Sequence, residues 1–194
     1  DKTFTYLIPL NLISKVKVGV LVQVPFAKNK IEGFVLKIKD EIENIRKYVE
    51  NNLYDENTKV LRRNTEDSKM DISTIGAVYP FELFGADEKK VLNTVEKINM
   101  TLRTYTGGYL RFEQDSYMGG KYPWPVTTLW MAMYYLKAGN KKMAQECFNF
   151  VVNSTSSLGF ISEQVDNNTM KPSWAIGLGW SHAMFIITLA ELLK

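Results

Sequence analysis

Glu163, the glutamate of "GFISEQVD", is a lone carboxylate among apolar residues: Phe160, Ile161 and Val165 flank it, and Trp174 and Trp180 follow shortly after. In a partly desolvated pocket the protonation state of such a group becomes tunable, which suits it to general acid or base work. The ordinary reading of a loop glutamate is a surface or capping residue. A second constellation lies upstream in "GGYLRFEQDSYMGGKYPWP", where Arg111, Glu113, Asp115, three tyrosines and Trp124 crowd into one connector. Sugars present apolar C–H faces and rings of hydroxyls, so a sugar site needs aromatic planes and charged groups that hydrogen-bond bidentately. The competing reading pairs Arg111 with Glu113 or Asp115 to brace the loop, while Trp124 packs in the core.

Other chemistries find little support. His182 follows Ser181 at a helix start, but no third group completes a nucleophilic triad and no GxSxG elbow is present, so a structural hydrogen bond is the better account of it. One histidine and one cysteine, Cys147, give no metal-ligand spacing. "TGGYL" lacks the lysine and the strand-to-helix setting of a phosphate loop. The expectation is therefore no metal and no cofactor.

The elements that must position these residues fall into two parts. "KTFTYLIP", "VLVQVPF" and "KIEGFVLKIK" read as strands of a small antiparallel sheet with a buried face, with Pro9 and Pro25 ending runs rather than interrupting them. From about residue 41 the period changes. Ile42, Ile45, Val49 and Leu53 share one helical face, and further helices are predicted at about 70–79, 87–103 with Asp87 as cap, 125–138, 141–154 and 181–193. The stripe Leu129, Trp130, Met133, Tyr134 is at helical spacing and reads as core. Helices form the scaffold, and the long connectors hold the tryptophans, tyrosines, arginine and carboxylates.

At 194 residues the chain can bury a substantial core without disulfides, and its single cysteine can form no intrachain bridge. No run approaches the roughly 18 apolar residues of a membrane span, and the start lacks a signal-like pattern. Together these favour a cytoplasmic location with no membrane partner, although removal of a leader is compatible with them. The net charge of +3 is unevenly distributed. Residues 1–39 hold seven lysines against Asp1 and Glu32, about +5, whereas residues 40–194 hold seventeen Lys/Arg against nineteen Asp/Glu, about −2. A basic leader on a near-neutral body suggests two parts with different partners, or a lysine-rich β-module guarding its strand edges.

Four motifs in order, "DISTIGAVYPFELF", "GGYLRFEQDSYMGGKYPWPVTTLWMAMYYLKAGNKKMAQE", "GFISEQVD" and "LGWSHAMFI", resemble the C-terminal part of the catalytic domain of glycoside hydrolase family 15, the glucoamylases and glucodextranases. The resemblance implies a mainly α fold, a partial (α/α)6 toroid with a small N-terminal antiparallel β segment. It implies inverting hydrolysis of α-linked glucose from oligosaccharide ends, in which one carboxylic acid protonates the leaving oxygen and a carboxylate activates water. By residue matching, Glu163 takes the place of the general base, Arg111 and Asp115 those of sugar-hydroxyl ligands, and Trp124 and Trp180 those of pocket aromatics. The family's general acid stands well upstream of "DISTIGAVYPFELF", where no segment matches. The resemblance thus implies an incomplete catalytic pair and weak or absent activity, unless Glu113 or Glu82 substitutes.

What stands upstream resembles a different family. "TFTYLIPLNLISKVKVGVLVQVPFAKNKIEGFVLKIKDEI" is similar to the start of primosomal protein N′, the replication-restart helicase, whose small N-terminal β-domain binds DNA 3′ ends. Its aromatic-Asp-Tyr motif stands here as Phe4, Thr5, Tyr6, and the resemblance ends near residue 43. The expectation is a chimera joined between about 38 and 50, with residues 1–40 a partial β-module and 41–194 half a toroid. Three functions follow: a glycosidase acting on α-linked glucose, a sugar-binding or structural fragment that associates with a second copy or a complementary fragment through exposed helices, and DNA binding through residues 1–39.

Overall fold

A computed structural model describes residues 4, 6–9, 12, 14–35 and 41–194. The chain divides into two compact units, Asp1–Glu41 and Ile42–Lys194.

Among its described residues the first unit holds one β-hairpin. Strands β1 (Leu21–Phe26) and β2 (Asn29–Phe34) pair antiparallel from Leu21↔Phe34 to Phe26↔Asn29 across a two-residue turn. The predicted strand over 2–9 is not seen: its described residues, 4 and 6–9, are irregular, and the rest lie outside the described residues. The predicted buried face is only half-buried, at Val22, Val24 and Ile31. A two-stranded ribbon has too little surface to cover a face of its own.

The second unit holds five α-helices among the described residues. Helix α1 (Glu41–Asn52) packs only through the C-terminal end of its stripe; Val49 joins the core, while Ile42 and Ile45 stay exposed. Arg46 of α1 bonds Glu88 at 3.2 Å, and Glu50 pairs with Lys90, which fixes α1 to the start of the next helix. A short hairpin, β3 (Tyr54–Asp55) and β4 (Val60–Leu61), is tied inward by the Leu61 N–H, which donates to buried Thr94 Oγ1 at 2.8 Å. The element predicted at 70–79 is a 3-10 helix, Ile72–Ala77, capped by the Asp71 side chain, which accepts from Ser73 N.

Helix α2 (Lys89–Thr101) buries Val91, Thr94, Val95 and Ile98, spaced three, one and three. Its cap position is Glu88, not the predicted Asp87, and the Glu88 carboxylate instead accepts from the Gly85 N–H at 2.7 Å. Helix α3 (Pro125–Lys137) opens on a proline, which suits the first helical turn, and is buried on nearly every side. It packs against α4 (Lys141–Asn153), α5 (Gly179–Leu192) and β5 (Ser162–Val165), which pairs antiparallel with β6 (Pro172–Ile176). One side of α3 (Met131, Ala132, Tyr134) faces a core shared with Ile72, Val95 and Ile98; the other (Leu129, Met133) faces one shared with Val151, Ile161 and Met184.

Helix α5 inverts the usual pattern. Its buried residues are Ser181, Met184 and Thr188, while Ile186, Ile187 and Leu189 face solvent, Ile186 at 66%, as does Leu193 just past its end at 79%. An outward apolar face of this kind is one that another element ordinarily covers.

Candidate active site

Glu163 sits at an irregularity in the β5–β6 ladder. Ser162 pairs with Ile176 and Gln164 with Ser173, so Glu163 alone opposes two residues, Trp174 and Ala175. This is a β-bulge, a feature that re-aims side chains and is common beside active sites. Trp174 carries the distortion in a left-handed backbone conformation, φ +63°. Along β5, Ser162 and Gln164 are buried, whereas Glu163 between them is half-buried on the opposite face.

Two further contacts anchor this strand. The Val165 N–H donates to Pro123 O at 3.0 Å, which binds β5 to the entry of α3. The Ile161 N–H donates to His182 Nε2 at 3.2 Å, while His182 Nδ1 lies 2.9 Å from Leu178 O. Since the backbone can only donate, Nε2 accepts, and the ring proton stands on Nδ1 toward Leu178. His182 is thus the structural clamp its helix-start position suggested.

The connector between α2 and α3 is nailed at several points. Tyr109 is fully buried, donates through its hydroxyl to Asn99 Oδ1 at 2.6 Å, and accepts at its carbonyl from the Trp124 N–H at 2.9 Å. Arg111 O accepts from Ile72 N at 2.8 Å, and Met70 O from Glu113 N at 2.9 Å. Between these anchors the chain doubles back through Gly120, φ +62°, where an added Cβ would stand 1.5 Å from Asp115 O. Only glycine permits that approach.

The doubled-back loop brings Arg111 and Asp115 into a bidentate pair, Nε to Oδ2 at 2.7 Å and Nη2 to Oδ1 at 2.8 Å. The guanidinium lies 4.3 Å above the Trp124 ring and 4.9 Å from that of Tyr117. Asp115 raises the Arg111 pKa by hydrogen bonding, against the cost of burial, and the nearby charges of Asp115 and Glu163 add to the rise. Burial pushes the Asp115 carboxyl upward, but the Arg111 bond, the Tyr117 N–H and the guanidinium charge outweigh it and hold it below the usual value.

Tyr117 joins this pair to Glu163. Its hydroxyl donates to Glu163 Oε2 at 3.2 Å and accepts from Trp174 Nε1 at 2.8 Å, and its ring lies 5.8 Å from that of Trp124. Glu163, Arg111, Asp115 and Trp124 therefore form one connected cluster. Trp180 stands apart from that chain of contacts, at the start of α5 with its ring 5.5 Å from Trp130 and 55% exposed. Trp124 is 5% exposed and covered by Arg111, so it forms the floor of the cluster and offers little ring to a ligand. The brace reading of the loop holds, with Asp115 rather than Glu113 as the partner of Arg111, and Tyr117 connects that brace to Glu163.

The two substitute carboxylates are held elsewhere. Glu113 Oε2 accepts from the Met70 N–H at 2.5 Å, and Glu82 pairs with Lys137 at 2.5 Å. Lys137 ends α3 and Pro125 begins it, so Glu82 lies about 18 Å along that helix from the Glu163 end. Sequence reasoning placed Trp174 near Glu163 and Tyr117 among the loop's aromatics, but missed that the two meet Glu163 in one hydrogen-bonded chain. Their partners lie 46 and 57 positions away, beyond any local pattern. Among the described residues no group of three or more His, Cys, Asp or Glu could hold a metal, and no helix is long and apolar enough to cross a membrane.

Comparison with known proteins gives two kinds of match. The 3′ DNA-binding domain family (3′BD) matches residues 1–62, some way past the expected end near residue 43. An uncharacterized glycosyl hydrolase of Methanocaldococcus jannaschii is 34% identical over 141 residues, which covers 66% of this chain and 23% of that protein. Trehalase 1 of Sulfolobus acidocaldarius is 24% identical over 164 residues, 84% of this chain and 28% of that protein. The chain thus spans about a quarter of the length of these relatives. Among solved structures, a wild-type glycosidase superposes with a TM-score of 0.70 at 24% identity, over 77% of this chain and 42% of that one. A bacterial glucoamylase complexed with acarbose does so at 0.69 and 24%, over 78% of this chain and 28% of that one. The fold is mainly helical with small antiparallel sheets, that of the glucoamylase-like (α/α)6 toroid, of which this chain carries a part.

Proposed function

We propose that residues 41–194 are part of an inverting α-glucoside hydrolase in which Glu163 is the general base. The carrying observation is the position of Glu163 on a β-bulge, half-buried, hydrogen-bonded through one oxygen to Tyr117, and beside the Arg111–Asp115 pair. In this reading Glu163 takes a proton from water as the water oxygen attacks the anomeric carbon. The bond from that carbon to the leaving oxygen breaks on the opposite face, and the leaving oxygen receives a proton from an acid. Asp115 has both oxygens engaged by Arg111, so it orients the guanidinium, whose Nη1 edge meets sugar hydroxyls. Trp180 offers the exposed aromatic plane.

The acid is a group outside the described cluster, because Glu82 and Glu113 are committed elsewhere. The exposed apolar face of α5 supports a ring completed by further helices, from a longer chain, a complementary fragment or a second copy. For the 194 residues alone, loss of the acid lowers turnover of ordinary glucosides about 10²- to 10⁴-fold. α-D-Glucosyl fluoride is spared most of that loss, because fluoride departs without a proton. The test is the rate of fluoride release from that substrate against glucose release from maltotriose and trehalose. Fluoride release exceeding both supports a base without its acid; equal and unmeasurable rates oppose it.

A second reading concerns residues 1–62. The match to 3′ DNA-binding domains and the lysine-rich first 39 residues favour contact with nucleic acid. Its measurement is binding to DNA with a free 3′ end, falling steeply with salt as counterions are released. Equal binding by a chain lacking residues 1–40 opposes it.

A further inference from the structure

Trp174 was given no role in the site by sequence, yet it holds a left-handed backbone conformation opposite Glu163. A non-glycine residue at φ +63° is uncommon and persists where surrounding structure enforces it. The distortion is the second half of the bulge opposite Glu163, and it delivers the indole N–H to Tyr117 Oη at 2.8 Å.

The direction of the protons in this chain is fixed by valence. An indole N–H can only donate, so the Tyr117 oxygen accepts from Trp174. The single hydroxyl proton of Tyr117 is then free for its other neighbour, Glu163 Oε2 at 3.2 Å. A carboxylate oxygen can only accept, so no alternative direction satisfies both contacts. The Tyr117 ring is held by the Arg111 guanidinium at 4.9 Å, and the Tyr117 N–H donates to Asp115 Oδ1 at 2.9 Å. Position and proton direction of the hydroxyl are thus both determined.

We infer that Trp174, acting through Tyr117, is a positioning residue that occupies Glu163 Oε2 and leaves Oε1 as the oxygen that receives the proton of water. The inference rests on the reading of Glu163 as general base. It assigns a purpose to the bulge: the backbone distortion at Trp174 sets which carboxylate oxygen faces the substrate. Trp174 is 53% exposed, so packing supplies little reason for the strained conformation.

Two measurements on the full chain separate this inference from the reading beneath it. The first is the indole N–H spectrum of the four tryptophans, with Trp174 identified through Trp174→Phe. Tyr117→Phe keeps the ring and removes the acceptor, so the Trp174 N–H signal moves upfield and exchanges faster while the other three hold. An unmoved Trp174 signal overturns the relay, whether or not the chain turns over substrate.

The second is fluoride release from α-D-glucosyl fluoride by Trp174→Phe, Tyr117→Phe and the double variant. Each single variant lowers kcat about tenfold with KM nearly constant, as expected for loss of a hydrogen bond to a charged group that acts on the chemical step. The double variant is no worse than Tyr117→Phe, because Trp174 acts only through that hydroxyl. Additive losses show that Trp174 merely packs, and they overturn the inference while leaving the base intact. Full turnover by Glu163→Gln overturns the base reading, and with it the catalytic purpose of the relay.

Discussion

Arg111 and Asp115 meet in a two-point salt bridge whose carboxylate side is 4% exposed and whose guanidinium side is 30% exposed. The pair closes the loop that carries Tyr117, and it lies on the Trp124 ring. Removing one partner of such a pair strands the other against an apolar surface.

Asp115→Ala is therefore expected to destabilise the helical unit by about 1–3 kcal/mol, short of the full cost of breaking a buried pair because Arg111 reaches solvent. At about 2–4 °C per kcal/mol for a unit of this size, thermal unfolding shows it. The pH dependence follows from the same bond. The Asp115 carboxyl is held below its unfolded value, so the stability it contributes is complete above that value, about 3.9, and is lost as pH falls through the lower folded value. An Asp115→Asn protein loses less stability between pH 4 and 2 than the parent; equal acid slopes would count against the assignment.

One group that acts at the alkaline end is Cys147, 1% exposed on α4, whose thiol burial pushes up to about 12 from 9.0. Because its folded value is raised, its contribution is complete below the unfolded pKa and is lost as pH rises toward the folded one. Stability is expected to fall above pH 9, by at most about 1.4 kcal/mol per pH unit from this group. Burial raises buried Tyr109 too, and from the higher starting value of 10.0 it contributes at higher pH. In Cys147→Ala the decline starts later, which urea titrations at pH 8, 9 and 10 can read.

The boundary of the helical unit is open to a truncation test. Val60 and Leu61 are 6% and 3% exposed within its first core, and the Leu61 N–H satisfies Thr94 Oγ1. The 3′ DNA-binding domain match nonetheless runs to residue 62. Removal of residues 1–40 is expected to leave the helical unit cooperatively folded. Removal of 1–62 takes two core side chains, each worth about 2–5 kcal/mol, and unfolds or loosens it. Equal circular dichroism melts for the two truncations would place the boundary at 62 instead.

The sequence announced elements far better than it announced the site. The bounds read from the sequence for α3 and α4 lie within about a residue of those observed, where Pro125 opens α3 and the Asn140 side chain caps α4 by accepting from Met143 N. Asp87 was a reasonable cap by residue type, yet Glu88, one position on, stands at the cap and binds Gly85 as well. Strands β1 and β2 stand within two of the predicted runs while residues 4 and 6–9 of the first run are irregular, and alternation cannot tell whether another layer exists to bury a strand's face. Glu163 was marked by family motif and not by its own chemistry, since a glutamate between apolar neighbours is ordinary. The Trp174–Tyr117–Glu163 chain was invisible, because it depends on a bulge in the ladder and on a loop folded back at Gly120.

The central claim is that Glu163 activates water for attack on an α-glucosyl carbon, and proton NMR of α-D-glucosyl fluoride hydrolysis tests it most directly. The account predicts β-glucose as the first-formed anomer with the parent chain, and fluoride release at least about 10²-fold slower in a folded Glu163→Gln protein. First-formed α-glucose, or unchanged release by Glu163→Gln, would contradict it.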